Sequence, residues 1–447
     1  MSHYLFTMTD AGGTIAPELS VARGLVARGH SVTVLGDRII ADEVAAIGAG
    51  FRPWEAAPQR ASRRREDDLI RDYELKTPAQ QVGLMREILF GWAPGYAADT
   101  KRALDEGGYD AVVSCFFLVG AQIAAEARGL PHAVLVPNLW GEPGTGLPPF
   151  GAGLQPASGP LGRARDALMT RVATRLWNKA LPDLNALRAG HGLPPVAGVF
   201  EQFRDAQRLL VLSAEAFDFP AARMPANLRY AGPRFDDPGW VEPWAPPPGD
   251  EALVLVAFST TFQDHERTLQ RVVDALGALP VRAVVTTGPA IDPASLRAPA
   301  RVQVVASAPH SAVLREAAAV VTHAGHGIVM KALAADVPML CMPMGRDQND
   351  NAARVVAHAA GLRLRPRASS RAIGRAVTRL LGEPAFGESA ARLGTEIRAT
   401  ALRDLAVDEL EALPRRPESY SPSLRSGVRS SGSSRSISFV KMRSERL

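Results

Sequence analysis

The stretch that decides the fold runs from Val320 to Arg354 and has the sequence VVTHAGHGIVMKALAADVPMLCMPMGRDQNDNAAR. It contains an apolar strand, a turn with two glycines and two histidines, a helical run, a second apolar strand and a polar turn. A strand followed by a glycine-rich turn and a helix N-terminus offers backbone N–H groups and the helix dipole to an anion. The polar turn, one strand later, would lie at the same edge of a parallel sheet. The stretch therefore predicts a phosphate pocket beside a pocket for hydroxyl groups.

Strand-like and helix-like segments alternate through the rest of the chain. Strands are predicted at residues 4–8, 31–35, 110–115, 132–136, 209–212 and 229–231, and then at 252–258, 281–286, 302–305, 318–322 and 338–342. Strands separated by helices form βαβ units with right-handed crossovers, and such units build parallel sheets. We therefore expect an α/β protein with two Rossmann-like parallel-sheet domains that face each other across a cleft.

A Pro-rich segment separates the two series of strands. Residues 236–250 have the sequence DDPGWVEPWAPPPGD, which is typical of an interdomain linker. We expect an N-terminal domain at 1–235 and a C-terminal domain at 251–413, which closes with a long helical stretch. Residues 414–447 would form a tail.

Length and composition indicate a globular protein. The 447 residues, 46% apolar and 22% charged, fit two domains of ordinary size. No window reaches the ~18 uninterrupted apolar residues of a membrane span. The first residues lack the basic and apolar regions of a secretory signal, so we expect a cytoplasmic protein. Cys115 and Cys341 each lie in an apolar strand-like run, which favours free buried thiols.

The net charge of +5 comes from the end of the chain. Residues 414–447 contain eight Lys or Arg and two Asp or Glu, so the rest of the chain is close to neutral. Nothing in that nearly neutral body indicates nucleic acid as a partner. The tail is rich in Ser and Arg, which predicts disorder. It is either a solvated extension without function or a segment that touches anionic lipid or RNA.

Two segments of the first domain interrupt the alternation. Residues 58–72 include the charged run RASRRREDD, which predicts a solvated loop. Residues 137–162 are crowded with Gly and Pro and carry apolar side chains such as Trp140 and Phe150. A long loop of this kind after a sheet strand is typical of a lid or an acceptor-binding wall. The alternative is a loop that packs on its own domain.

Four separated motifs, together with the linker, resemble the GT-B glycosyltransferases of family 1, the nucleotide-sugar enzymes that glycosylate natural products. The motifs are VAFSTTFQ, VVASAPHSAVL, VTHAGHGIVMKALAADVPML and PMGRDQNDNAARV. They are similar in particular to an actinobacterial branch of the family. The resemblance extends to about Leu413 and is strongest from Leu253 to Leu364. It implies the GT-B fold, no cofactor besides the nucleotide-sugar co-substrate, and an inverting reaction without a metal.

The resemblance also implies a donor site in the second domain. Its residues would be Ser259, Thr260, Thr261, His310, His323, Gly325, His326, Gly327, Lys331, Asp347 and Gln348. The Ser-Thr-Thr turn, His323 and the glycines match groups that approach the diphosphate, and His310 matches the segment that holds the nucleobase edge. Asp347 and Gln348 match the acid–amide pair that binds sugar hydroxyls, which suits a carboxylate acceptor and an amide that both donates and accepts.

Each of these residues also has a purely structural interpretation. A Ser-Thr-Thr run after a strand is often only a turn or a helix cap. His323 could simply end a strand, His326 could face solvent, and Asp347 could be no more than a helix N-cap.

Three residues depart from the family pattern. Ser307 stands where many relatives stack an aromatic ring on the base, and Ile328 replaces a phosphate-binding Ser or Thr. Lys331 stands where relatives place a Glu for the ribose hydroxyls. A lysine cannot accept from those hydroxyls, but it can reach a phosphate as a point charge. The resemblance implies UDP or TDP as the default nucleotide.

The catalytic base is the larger departure. Thr14 takes the place of the family's acceptor-deprotonating histidine, and Cys115 takes the place of its aspartate partner. A threonine hydroxyl does not act as a general base near pH 7. Asp10, in the same turn, is the nearest carboxylate and our candidate replacement. The alternatives are another base, such as Asp264 or a residue of the 137–162 loop, or an acceptor acidic enough to need little help.

The sequence therefore leads to one main hypothesis and two alternatives. The first is an inverting, metal-independent glycosyltransferase that moves a hexose from a UDP- or TDP-sugar to a small lipophilic acceptor. The missing His/Asp pair motivates the second, a catalytically silent protein that binds sugar nucleotides as a partner of another enzyme. A nucleotide-sugar epimerase of the same architecture is the third.

Overall fold

The computed structural model describes residues 1–75 and 77–413, so the predicted disordered tail lies outside the described residues. The strands of the first sheet are β1 (His3–Thr7), β2 (Ser31–Gly36), β3 (Gly50–Pro53), β4 (Ala111–Cys115), β5 (His132–Val136), β6 (Arg208–Val211) and β7 (Leu228–Tyr230). Those of the second sheet are β8 (Leu253–Ala257), β9 (Arg282–Thr286), β10 (Val302–Val305), β11 (Ala317–Thr322), β12 (Met339–Cys341) and β13 (Gly361–Arg363).

Helices flank both sheets. Around the first are α1 (Ile15–Ala27), α2 (Ala41–Ala46), α3 (Pro78–Arg86), α4 (Ala93–Glu106), α5 (Val119–Ala127), α6 (Gly159–Trp177), α7 (Leu181–Gly190) and α8 (Glu201–Arg204). The later helices are α9 (Glu266–Gly277), α10 (His310–Val313), α11 (His326–Ala334), α12 (Gln348–Ala357), α13 (Ser370–Gly382), α14 (Pro384–Ala401) and α15 (Leu405–Glu411). No helix in the described part of the chain is long and apolar enough to cross a membrane.

All strand pairs are parallel, in the orders β3-β2-β1-β4-β5-β6-β7 and β10-β9-β8-β11-β12-β13. The inner strands are almost wholly apolar: LVLVA in β8 and HAVLV in β5 are buried at every position. Such runs belong in parallel sheets whose two faces are both covered by helices. The predicted fold class, with two parallel-sheet domains, is therefore confirmed.

The strand order reverses between β1 and β4 in the first sheet and between β8 and β11 in the second. In open α/β sheets, ligands bind outside the carboxyl ends of the strands at this switch point. The turns that follow these four strands are thus the ones expected to form a site. They include Asp10 and Thr14 in the first domain, and Ser259 and His323 in the second.

The last helix packs on the first domain. Ala406, Val407 and Leu410 of α15 are buried in the same apolar core as strands β1 and β2. Arg28, just after α1, forms ion pairs of 2.7 Å with both Asp408 and Glu411. The closing segment, which we assigned to the second domain, therefore contributes core residues to the first. The division of the chain at 235 and 251 stays a prediction.

Candidate active site

A cleft of about 800 Å³ lies between the two sheets. Its lining includes twelve of the thirteen residues that the sequence singled out for catalysis or donor binding: Asp10, Thr14, Ser259, Thr260, His310, His323, Gly325, His326, Gly327, Lys331, Asp347 and Gln348. Thr261 is not part of this lining. The topology thus brings the predicted donor residues and the predicted acceptor turn into one space.

The Ser-Thr-Thr turn after β8 connects the two halves of the cleft. The Thr260 hydroxyl donates to the carbonyl of Gly12, in the first domain, over 2.6 Å. The Thr261 hydroxyl lies 3.1 Å from that of Ser259 and accepts from Arg346 at 3.0 Å. The turns after β8 and β1 are therefore in direct contact, and Thr261 hydrogen-bonds within the first of them and to Arg346.

His323 directly follows β11 and is buried at the cleft wall. Its Nδ1 lies 3.4 Å from the carbonyl oxygen of Ala257. Burial, reinforced by neighbouring His265, lowers the pKa of His323 to about 3, so the ring is neutral at pH 7. A Cβ added to Gly325 would approach Nε2 of this ring to 2.5 Å. Glycine at 325 is therefore required to seat the imidazole beside the N-terminus of α11.

His326 is buried rather than solvent-facing. Its Nδ1 lies 3.4 Å from Oδ1 of Asn351, and its Nε2 lies 3.3 Å from the carbonyl oxygen of Leu212 in the first domain. Burial lowers the pKa of the ring to about 4. Both ring nitrogens thus face protein oxygens, and the side chain joins α11 to the end of β6. Donor contact through this side chain stays a prediction.

His310 begins α10 and lies close to the end of β9. Its Nε2 is 3.0 Å from the hydroxyl of Thr286. Burial, followed by the nearby Lys331 ammonium, lowers the pKa of His310 to about 4. The neutral ring holds α10 against the sheet.

Asp347 and Gln348 lie side by side at the start of α12, but their side chains differ in how many hydrogen-bonding groups remain for a ligand. Oδ2 of Asp347 accepts from Asn351 at 2.9 Å, and burial raises the pKa of this carboxyl. The Gln348 oxygen accepts from the backbone N–H groups of Met344 and Gly345 at 2.8 and 3.1 Å. Its amide nitrogen donates to Gln263 at 2.9 Å. Asp347 is thus better placed to meet a ligand, while Gln348 mainly shapes the preceding turn.

The interdomain linker lies along the cleft, which the sequence did not reveal. The Lys331 ammonium pairs with Asp237 of the linker at 2.5 Å, and Asp237 also accepts from the Ser311 hydroxyl at 2.5 Å. The backbone N–H of Glu242 donates to the Ser307 hydroxyl at 3.1 Å. Two of the three unusual residues of the second domain, Lys331 and Ser307, therefore hold the linker in place. The two acidic residues at the start of the linker, in DDPG, are the sequence feature that could have indicated these contacts.

The turn after β1 places Asp10 and Thr14 at the cleft, and both side chains form hydrogen bonds within the protein. The Asp10 carboxylate accepts from Nε of Arg63 at 2.9 Å and from the Gly12 N–H at 2.9 Å. The Thr14 hydroxyl donates to the carbonyl of Thr9 at 2.8 Å. Thr14 therefore holds the turn together, and Asp10 as a base stays a prediction.

Of two other positions considered for the base, Asp264 lies outside the cleft and Glu142 lines it. Asp264 is exposed and is not among the residues that line the cleft. Glu142, on the 137–162 loop, is buried and pairs with Arg204. Cys115 and Cys341 are both free and buried, as predicted. Beside Cys115 lies Glu18, which the sequence analysis missed; burial raises the pKa of Glu18 to about 8.

The charged segment of residues 58–72 is a loop, as predicted, but it is solvated only in part: Arg64 and Glu66 are exposed, whereas other charged residues contact the protein. Arg60 and Asp68 are buried. Asp72 forms a bidentate ion pair with Arg346 of the second domain, with distances of 2.7 and 2.9 Å. The Arg65 guanidinium lies 3.8 Å from the centre of the Phe262 ring. Local charge density gave no sign of these partners, because they are far away in sequence.

The 137–162 loop also reaches the second domain. The backbone N–H groups of Gly151 and Gly153 donate to Asp350 at 2.5 and 2.9 Å. Arg363 donates to the carbonyl of Gly153 at 3.1 Å. Gly153 has a φ of +60°, and a Cβ there would approach the carbonyl oxygen of Asn349 to 2.7 Å. The loop therefore forms one wall of the cleft, anchored across the domain boundary.

The first domain provides an apolar, aromatic compartment of the same cleft. Its rings are those of Phe90, Phe116, Phe117, Trp140, Phe150, Trp177, Phe200 and Phe203. Phe150, at 44% exposure, is the most open of the aromatic side chains. Such a lining suits a lipophilic molecule with a few polar groups. Among residues 1–75 and 77–413, no group of three or more His, Cys, Asp or Glu could hold a metal ion.

Comparisons with known proteins agree with this architecture. Residues 270–413 match the erythromycin biosynthesis protein CIII-like C-terminal domain, and residues 12–176 match the glycosyl transferase 4-like domain. The chain is 30% identical to 4'-demethylrebeccamycin synthase of Lentzea aerocolonigenes, over 92% of this chain and 98% of that protein. It is 28% identical to the oleandomycin glycosyltransferase of Streptomyces antibioticus, over 94% and 93% of the two chains.

A solved structure supports the fold. The crystal structure of the kitacinnamycin glycosyltransferase superposes with a TM-score of 0.74 at 24% identity, over 92% of this chain and 99% of that one. The chain belongs to the GT-B glycosyltransferases of natural-product biosynthesis. It is thus an enzyme that transfers a sugar.

Proposed function

We propose that the protein moves a hexose from a UDP- or TDP-sugar to a small lipophilic natural-product acceptor, with inversion and without a metal. The observation that carries the proposal is the contact between the Thr260 hydroxyl and the Gly12 carbonyl at 2.6 Å. It unites the donor turn of the second domain with the acceptor turn of the first. An aromatic compartment and a helix N-terminus then open into one cleft, as transfer between two substrates requires.

The donor is proposed to bind with its diphosphate at the start of α11. The backbone N–H groups of that helix and its dipole favour an anion, and a Cβ at Gly327 would meet no atom within 4 Å, so space is open there. Asp347 is proposed to accept from sugar hydroxyls through the carboxylate lone pairs that Asn351 leaves unused.

The reaction that follows is a direct displacement at the anomeric carbon. The acceptor hydroxyl gives up its proton, to Asp10 or to solvent, and its oxygen forms a bond to that carbon from one face while the bond to the diphosphate oxygen breaks on the other. Negative charge then builds on the leaving diphosphate, where the α11 N-terminus and His323 are proposed to stabilise it. Attack opposite to the leaving group inverts the anomeric configuration.

The nucleotide is proposed to be UDP or TDP. A spinosyn rhamnosyltransferase with the same fold, at 16% identity and a TM-score of 0.61, was solved with thymidine diphosphate. In this chain, the linker carboxylate of Asp237 lies where Lys331 and Ser311 meet the cleft. A sugar hydroxyl of the nucleoside is a chemically suitable ligand for that group.

The test is a transfer assay with a panel of UDP- and TDP-hexoses and phenolic or macrolide acceptors, with and without EDTA. Nucleotide diphosphate release, product mass and the anomeric configuration of the product are measured. We expect a glycosylated, inverted product at a rate that EDTA does not change. Donor binding without turnover across the panel would indicate a silent binding protein, and an isomeric sugar nucleotide formed without acceptor would indicate an epimerase.

A further inference from the structure

The feature that the proposed function leaves unexplained is a buried arginine at the acceptor turn. Arg60 lines the cleft, yet its side chain is only 3% exposed. Its Nε has no hydrogen-bond partner among the described residues. Its one ion pair in that part of the chain is with Asp10, whose Oδ1 lies 3.7 Å from a terminal nitrogen. That distance is longer than a hydrogen bond, so the buried guanidinium keeps donors to spare.

The carboxylates around Arg60 are already engaged. Arg63 binds both Asp10 and Glu43, at 2.9 and 2.8 Å. Asp37 accepts from the backbone N–H of Asp10 at 2.8 Å, and burial raises the pKa of Asp37 to about 7. Asp68 accepts from the N–H of Ile70 at 3.0 Å, and burial raises its pKa too.

Asp37 and Asp68 also interact with the charge of Arg60 at longer range, but the hydrogen bonds of its guanidinium are incomplete. A buried charge is unfavourable unless it is paired and hydrogen-bonded. Within the described residues, no second carboxylate forms an ion pair with this guanidinium. An anion supplied from the cleft would complete its coordination.

The location of Arg60 identifies the substrate that would supply this anion. Phe117 and Ile70 line both the main cleft and a small side pocket, and Arg60 and Asp10 line both as well. Arg60 therefore stands where the aromatic acceptor compartment meets the acceptor turn. The N-terminus of α11, where the diphosphate is proposed to bind, belongs to the other domain.

We propose that Arg60 binds the acceptor as an oxyanion, so that the acceptors of this enzyme are phenols or similarly acidic hydroxyls. The inference rests on the proposed function, because it concerns the acceptor of that same transfer. The acceptor loses its proton to solvent on binding. The resulting anion forms the new bond to the anomeric carbon, and the electron pair of the broken bond leaves on the nucleotide diphosphate.

This arrangement removes the need for a general base. Thr14 and Cys115 occupy the positions where a base and its partner would be expected, and the Thr14 hydroxyl is bonded to the Thr9 carbonyl. A cation within hydrogen-bond reach favours the ionised form of a phenol and lowers its pKa by about one to three. Such a shift ionises a mildly acidic phenol at neutral pH without proton transfer to a side chain.

The experiment follows the ionisation of a bound phenol directly. A nitrophenol or hydroxycoumarin probe, whose phenolate absorbs at a longer wavelength than the phenol, is titrated with pH while bound to the whole chain. We expect the wild-type protein to lower the midpoint of the bound probe by about one pH unit or more. Arg60→Gln should abolish the shift, and Arg60→Lys should restore part of it.

Arg52→Gln is the matched control, because Arg52 forms a surface ion pair with Glu106 outside the cleft. Thermal melting and nucleotide diphosphate binding establish that each variant is folded with an intact donor site. An unshifted midpoint in the wild type, no binding of acidic phenols, or a full shift in Arg60→Gln would overturn the inference. If Arg60→Gln fails to fold, the wild-type and Arg60→Lys titrations decide.

Transfer rates separate this inference from the proposed function. Phenols should be glycosylated at least about tenfold faster than aliphatic alcohols of similar size, and Arg60→Gln should remove that preference. Equal rates in the wild type would refute the role of Arg60 and leave the glycosyltransferase intact. Absence of any transfer, with the probe shift present, would refute the proposed reaction alone.

Discussion

The charge state of His323 is set by its surroundings rather than by its own chemistry. The ring is buried with His265 and Arg346 nearby, and its pKa falls to about 3. A neutral imidazole is a modest donor to phosphate. An anion bound beside it reverses the balance, since opposite charge favours the protonated form.

Donor affinity should therefore increase as the pH falls. The intact nucleotide-sugar is used as the ligand, because its phosphates do not titrate between pH 8 and pH 6. If the bound anion raises the pKa of His323, binding takes up a proton and weakens as the pH rises through the pKa of the bound state. Calorimetry in buffers of different ionisation enthalpy measures this uptake.

The control for that measurement is His191→Asn, which changes a histidine at the end of α7, outside the cleft. His191→Asn should retain the pH dependence, whereas His323→Asn should lose it. Proton uptake that persists in His323→Asn would show that another group titrates.

Two glycines close together in sequence give a sharp comparison. An alanine at 325 would place its Cβ 2.5 Å from Nε2 of His323, whereas one at 327 would meet no atom within 4 Å. Gly325→Ala should displace the ring and raise the KM for the donor about tenfold, the effect of one lost charge-assisted hydrogen bond. Gly327→Ala should leave the melting temperature unchanged or slightly higher. Equal donor KM values for Gly325→Ala and the wild type would contradict the assigned role.

Among the elements, the 137–162 loop depends on one carboxylate. Asp350 at the start of α12 accepts from two backbone N–H groups of the loop, those of Gly151 and Gly153. Because the loop backbone has few other partners across the boundary, removal of this acceptor should release it. The loop should then become sensitive to proteases, and the acceptor compartment should lose a wall.

Asp350→Ala tests this role. We expect faster proteolytic cleavage within residues 141–158 and a KM for the acceptor raised about tenfold, with donor affinity unchanged. Asp274→Ala is the matched control, since Asp274 is exposed on α9 and accepts a hydrogen bond from Gln270 at 2.8 Å outside the cleft. Cleavage at the wild-type rate in Asp350→Ala would show that other contacts hold the loop.

Elements were predictable where their cause is local. Buried apolar runs such as LVLVA in β8 and the glycine-rich turn before α11 specified strands, helix starts and the edge at which a ligand binds. The uses of individual polar groups were not predictable. The Gln348 amide turned back to Met344 and Gly345, and Lys331 to Asp237, because each pairing depends on which residues the fold brings together.

At the scale of the whole molecule, a buried ion pair joins the domains. Asp218 of the first domain accepts two hydrogen bonds, of 2.8 and 2.6 Å, from Arg354 of α12. Tyr230 donates to the same carboxylate at 2.7 Å. Removing one partner of a buried pair leaves an uncompensated charge, which typically costs about 3–5 kcal/mol.

Asp218→Ala should consequently lower the thermal midpoint markedly, while Glu383→Gln, which breaks an exposed pair with Arg379, should change it little. The double variant Asp218→Ala/Arg354→Ala should be less destabilised than the sum of the single variants. Scanning calorimetry of the wild type, both single variants, the double variant and Glu383→Gln decides. Full additivity would mean that the pair makes no net connection between the domains.

The return of α15 to the first domain has a practical consequence for recombination between members of this family. The polypeptide passes between the domains twice, through the linker and again between Ala401 and Leu405. Exchanging everything after residue 251 would set a foreign helix against the native side chains that contact Ala406, Val407 and Leu410. A hybrid that inherits residues 251–401 from one parent and keeps α15 with the other half preserves both cores. New donor specificities should therefore be grafted with two junctions rather than one.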